Sequence, residues 1–155
     1  MANSASRRFS HEEMLGRAFY RIAWNIRSMW EEKGSSDTRL LIEPMIPDDF
    51  VLVGQSKAAV DKANQYKEHV VPRMMICEEC HRMFEHGACV EDVGRFIRKY
   101  LKIVLLTKEE QDRLDKWANL NLRQSMPTGW TFRDGSVFAR LEFARIEFDL
   151  YPERL

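Results

Sequence analysis

Gln111 and Asp115 lie four residues apart in a stretch with helical spacing, so their side chains leave the same face one turn apart. Two such oxygen donors can reach one ion, and an oxygen set of this kind suits Mg²⁺, Mn²⁺ or Ca²⁺ better than Zn²⁺. A second cluster is Cys77-Glu-Glu-Cys80-His81, with His86 and Cys89 close behind. It holds enough sulfur and nitrogen for a tetrahedral zinc site. The same letters spell the Cys-x-x-Cys-His signal of c-type haem attachment, which belongs to exported proteins. Against both stands the reading of the three cysteines as small apolar core residues.

Upstream of Gln111 the chain reads Tyr-Lys-Glu-His-Val-Val-Pro at 66–72, and then, about thirty residues on, Lys-Ile-Val-Leu-Leu-Thr-Lys-Glu-Glu-Gln-Asp-Arg-Leu-Asp at 102–115. An acidic residue and a histidine before Val-Val-Pro, followed later by a short apolar strand that runs into a helix, resemble the HNH or ββα-metal nucleases, in particular the nuclease domains of DNase colicins. The resemblance covers about a third of the chain. It implies His69 as the general base, Glu68 as a metal ligand, and Gln111 and Asp115 at the places of the two metal-binding helix histidines. Both of those histidines are therefore replaced. Arg73 is the candidate for the phosphate. The implied cofactor is Mg²⁺ or Mn²⁺, with Zn²⁺ as the alternative.

The elements needed to position these groups can be read locally. Ser10 and Glu13 form a capping box for a helix to about residue 33, with Met14, Leu15, Ala18, Phe19, Ile22, Ile26, Met29 and Trp30 on one stripe and Gly34 as its stop. Trp24 falls off that stripe, which leaves a second face for a homodimer. Residues 50–53 read as a strand, and 56–66 as a helix built on Ala58, Ala59, Val60 and Ala63. Glu68 to Val71 should be extended, because the residue before a proline avoids the helical region. Pro72 can then open a helix that Gly87 stops. A helix over 90–101 suits its own dipole, with Glu91 and Asp92 at its start and Arg98 and Lys99 at its end. A strand over 103–106 follows, and Thr107 with Glu110 caps a helix running to about residue 120. Residues 137–148 fit a helix, with a strand as the alternative parity. The expected architecture is α+β: one mainly helical domain over 10–155 behind a flexible tail at 1–9, with a small central β-hairpin and an HNH-like ββα unit.

Composition limits the function. With 45% hydrophobic and 31% charged residues the chain is of the globular class. No apolar run reaches the roughly 20 residues needed to span a bilayer, and the N-terminal stretch lacks an apolar signal segment. A cytoplasmic protein with no membrane partner and with thiols instead of disulfides is expected. Twenty-four basic residues balance twenty-four acidic ones, so binding to nucleic acid would need a local basic face. Arg95, Arg98, Lys99 and Lys102 offer one, unless they are the solvated side of their helix. Trp117, Trp130 and Phe132 can stack on bases or pack on the core. Two functions remain open: a metal-dependent endonuclease that hydrolyses nucleic-acid phosphodiesters, or a noncatalytic HNH-derived module that binds a nucleic acid or a protein, with a place in bacterial or phage defence.

Overall fold

The computed structural model describes residues 8–116 and 122–154, so most of the predicted tail lies outside the described residues. Helix α1 spans His11–Lys33. The Ser10 amide donates to the Glu13 carboxylate at 2.7 Å and the Glu13 amide to Ser10 Oγ at 3.2 Å, which is the expected capping box. At the other end Gly34, in the left-handed region at φ 71°, donates its N–H to the Trp30 carbonyl. The buried stripe runs from Leu15 through Phe19 and Ile22 to Ile26, whereas Trp24 is 48% exposed.

Strand β1 is Leu52–Ser56, β2 is Tyr66–His69, α2 is Arg73–Glu85, α3 is Val90–Tyr100, β3 is Ile103–Leu106, α4 is Lys108–Lys116, α5 is Ala139–Phe143 and β4 is Phe148–Leu150. The sheet order is β2-β3-β1-β4; β3 runs parallel to β1, and the two outer pairings are antiparallel. The protein is thus α+β, with five helices and a four-stranded mixed sheet among the described residues. The expected central hairpin is the β2–β3 pair, but α2 and α3 separate its strands in sequence and two further strands extend it. α1 and α3 pack on each other, and their apolar faces join Val104, Leu106 and Ile76 in one core.

Three segments differ from the sequence expectation. The first strand starts two residues later, because 48–50 form a 3₁₀ turn. The helix expected over 56–66 is replaced by the end of β1, a single 3₁₀ turn at Lys57–Ala59 and a loop into β2. Ser56 Oγ there accepts from the Ala59 amide and donates to Glu110 at 2.6 Å, tying the turn to α4, and Asp61 at φ 59° breaks any helical continuation. The helix over 137–148 stops at Phe143, because Arg145 adopts φ 56°, and the rest becomes β4. Gly54 allows β4 to pair: a Cβ there would lie 2.4 Å from the Asp149 carbonyl oxygen. The predicted extension of α4 to about 120, and with it Trp117, lies outside the described residues. Among the described residues no helix is long and apolar enough to cross a membrane.

Candidate nucleic-acid interface

β2, β3 and α4 form the expected strand-strand-helix unit. His69 pairs with Ile103 and Glu68 with Val104, so the end of β2 is fixed beside the strand that feeds α4. α4 is set at its first turn by a buried cap: the Thr107 amide donates to Glu110 Oε2 at 2.9 Å, and the Glu110 amide to Thr107 Oγ1 at 3.2 Å. Because Ser56 also donates to that carboxylate, the start of α4 is tied to β1 as well.

These restraints bring Glu68, His69, Arg73, Gln111 and Asp115 to one cleft of about 610 Å³. The five residues that the sequence nominated for the main site therefore share a cavity. The same cleft also contains Arg140, which the sequence reading did not nominate.

Arg140 is 1% exposed and almost wholly engaged. Its Nε donates to the Leu122 carbonyl at 2.6 Å, Nη1 to the His69 carbonyl at 2.7 Å and Nη2 to the Arg123 carbonyl at 3.4 Å. Nη1 also lies 3.0 Å from Glu68 Oε1. A buried guanidinium needs such partners, because an unpaired charge away from water is costly. Burial pushes the Glu68 carboxyl above its ordinary range, with Arg140 and then Gln111 pulling the other way. Arg140 thereby connects α5, β2 and the segment after α4 through a single side chain.

His69 is different in kind. Its Nε2 is buried without a hydrogen-bond partner among the described residues. Burial, with Arg73 next in effect, pushes its pKa down to about 4, so the ring is neutral at pH 7. A neutral ring can accept a proton or a hydrogen bond at one nitrogen and donate at the other.

The cleft is lined by six cationic side chains, Lys67, Arg73, Lys108, Lys116, Arg123 and Arg140, and by the carboxylates of Glu68, Asp112 and Asp115. Asp48, outside the lining, pairs with Lys67 and takes up one positive charge. Asp112 is shared between Lys108 at 2.9 Å and Lys116 at 3.8 Å. A positive surplus remains in a concave site, which favours an anion.

Mg²⁺ or Mn²⁺ is the group the resemblance implies, and the donors do not make a fitting site for it. Glu68 is committed to an arginine locked by three carbonyls, leaving Asp115 as a carboxylate with the neutral Gln111. Among the described residues no three His, Cys, Asp or Glu side chains converge on a common point.

The zinc candidates are not gathered either. Cys77 and Cys80 are buried, and burial pushes Cys77 up to about 11 and Cys80 higher still, so both stay as thiols. His81 Nε2 hydrogen-bonds Ser36 Oγ at 2.7 Å, His86 Nδ1 lies 2.7 Å from the Arg82 carbonyl, and Cys89 is exposed.

The basic group at the end of α3 is largely engaged. Arg98 makes a two-point contact with Glu12 at 2.5 and 2.8 Å, Arg95 pairs with Asp92, Lys99 sits 5.0 Å from the centre of the Tyr100 ring and Lys102 donates to the Arg98 carbonyl. Trp130 and Phe132 stack edge-on with each other and with Tyr100, as packing residues do. The cleft differs in holding more cations than carboxylates, drawn from β2, α2, α4, α5 and Arg123, which are far apart in sequence. No family model, curated protein or solved structure matches the chain.

Proposed function

We propose that the chain is a noncatalytic, HNH-derived module that binds the phosphate backbone of a nucleic acid in the cleft between β2, α4 and Arg140. The observation that carries this reading is the Glu68–Arg140 ion pair, with the guanidinium held from three further directions. It engages the carboxylate that a metal would use and cancels its charge, so the surplus from the remaining cations of the cleft is not offset by Glu68. Lys67, Arg73, Lys108, Lys116 and Arg123 supply the cationic lining, whose field draws a polyanion and whose release of counterions favours binding. Neutral His69 offers a hydrogen bond to a phosphate oxygen or a sugar hydroxyl.

One observation favours a second reading, phosphodiester hydrolysis with His69 as the general base: the residue lines a cleft that also holds Asp115, and its buried Nε2 has no hydrogen-bond partner among the described residues. Supercoiled plasmid, single-stranded DNA and RNA incubated with Mg²⁺, Mn²⁺, Ni²⁺ or Zn²⁺ separate the two. Binding without cleavage is expected. Cleavage that disappears in His69→Ala while the fold persists would replace the binding reading with the nuclease one.

A further inference from the structure

The structure assigns to Arg140 the place that a metal ion holds in a ββα-metal site: a fixed positive charge between the end of β2 and the helix, which orders Glu68 and keeps divalent cations out. This rests on reading the cleft as HNH-derived.

Geometry supports the assignment. The resemblance implies a metal held between a ligand at the end of the first strand, here Glu68, and two on the helix, here Gln111 and Asp115. Here Arg140 Nη1 contacts both the side chain of Glu68 and the main chain of His69, two consecutive residues at that strand end. Nε and Nη2 hold the carbonyls of Leu122 and Arg123, in the segment that follows α4. The single guanidinium thus ties the strand end to the segment beyond the helix, in the same cleft as Gln111 and Asp115. With five donors in a rigid fork it can order several oxygens at once, and it keeps its charge at any physiological pH.

The consequence is exclusion. A divalent ion seated between Glu68 and Asp115 would face a cation that already holds one of its ligands and cannot withdraw, since it is 1% exposed. Repulsion in a partly desolvated cleft is only weakly screened. Two histidines on the helix would restore neutral donors to a metal, but positions 111 and 115 carry Gln and Asp. In this reading an arginine in the site and the absence of helix histidines are a single change. Arg140 is a positioning residue, holding Glu68 and the end of β2 in the shape that receives a phosphate.

The test is a Mn²⁺ titration followed by electron paramagnetic resonance, run on the full chain beside anisotropy of a fluorescein-labelled DNA oligonucleotide in EDTA and in millimolar Mn²⁺. The wild type should retain no stoichiometric Mn²⁺, and Mn²⁺ should not raise its DNA affinity, lowering it only as a competing counterion does. Arg140→Met, verified as folded by circular dichroism, should gain a Mn²⁺ site that Asp115→Asn then removes. Stoichiometric Mn²⁺ on the wild type, DNA affinity raised about tenfold or more by Mn²⁺, or a folded Arg140→Met that gains no site would each overturn the assignment. Should Arg140→Met not fold, the wild-type titration decides alone. A wild type that binds neither DNA nor Mn²⁺ refutes the nucleic-acid reading while leaving the exclusion by Arg140 standing.

Discussion

Arg140 Nη1 lies 3.0 Å from Glu68 Oε1 and 2.7 Å from the backbone oxygen of His69, so one buried guanidinium holds both the side chain and the main chain at the end of β2. The two partners stand 72 residues from Glu68 to Arg140, and no local rule joins them.

Breaking this pair from one side should be expensive. Arg140→Met leaves the Glu68 carboxylate and three carbonyls short of a partner, and a loss of about 3–5 kcal/mol in unfolding free energy is expected. The double change Arg140→Met with Glu68→Gln should recover part of it, because the uncompensated charge goes as well. Urea denaturation of the three chains checks the order, and a double variant no more stable than Arg140→Met would contradict it.

His69 makes stability depend on pH. Its folded pKa, about 4, is below the ordinary 6.5, so the native state favours the neutral ring. The contribution is complete above about pH 6.5 and is lost as pH falls toward 4, where unfolding takes up a proton; its ceiling is about 3 kcal/mol. Glu68, shifted upward, acts in the opposite sense over part of this range, so the comparison of wild type with His69→Gln isolates the histidine. His69→Gln should flatten the rise in stability from pH 4 to pH 6.5. Equal slopes in the two chains would contradict the buried neutral ring.

Glu110 serves three donors: the Ser56 hydroxyl, and the Thr107 amide and hydroxyl. Glu110→Ala leaves buried donors unsatisfied at the start of α4 and should cost about 1–3 kcal/mol. Hydrogen exchange should show the first turn of α4 opening more readily. An unchanged thermal midpoint would deny the cap this role.

The thiols should divide by burial. Cys89 is exposed and Cys77 and Cys80 are buried with raised pKa values. A maleimide at neutral pH should modify one thiol rapidly in the native protein and the other two only on unfolding. Rapid modification of all three would contradict the packing of α2.

Legibility in the sequence followed the range of the interaction. The capping boxes of α1 and α4, the extended residues before Pro72, α3 and β3 were readable because each depends on neighbours a few positions apart. The turn after β1 was not: Ser56 and Glu110 are 54 residues apart, and their contact helps replace the helix that the alanine pattern suggests. Glu68, His69, Gln111 and Asp115 could be placed on one unit, whereas their electrostatics could not. Those depend on Arg140, whose single sequence signal is a charge interrupting the alternating apolar pattern of Phe138, Ala144, Ile146 and Phe148. The basic run near the end of α3 looked like a binding face because its partner Glu12 lies 86 residues away from Arg98.

The central claim is that the cleft binds the nucleic-acid backbone through its cations. Its most direct test is the affinity for a labelled duplex measured in EDTA across a salt series, for the wild type and for Arg73→Ala with Arg123→Ala. A plot of log affinity against log salt should fall with a slope of about −2 to −4, and the double variant should bind more weakly with a slope shallower by about one or two. No binding at low salt, or a slope near zero that the two substitutions leave unchanged, would contradict the account.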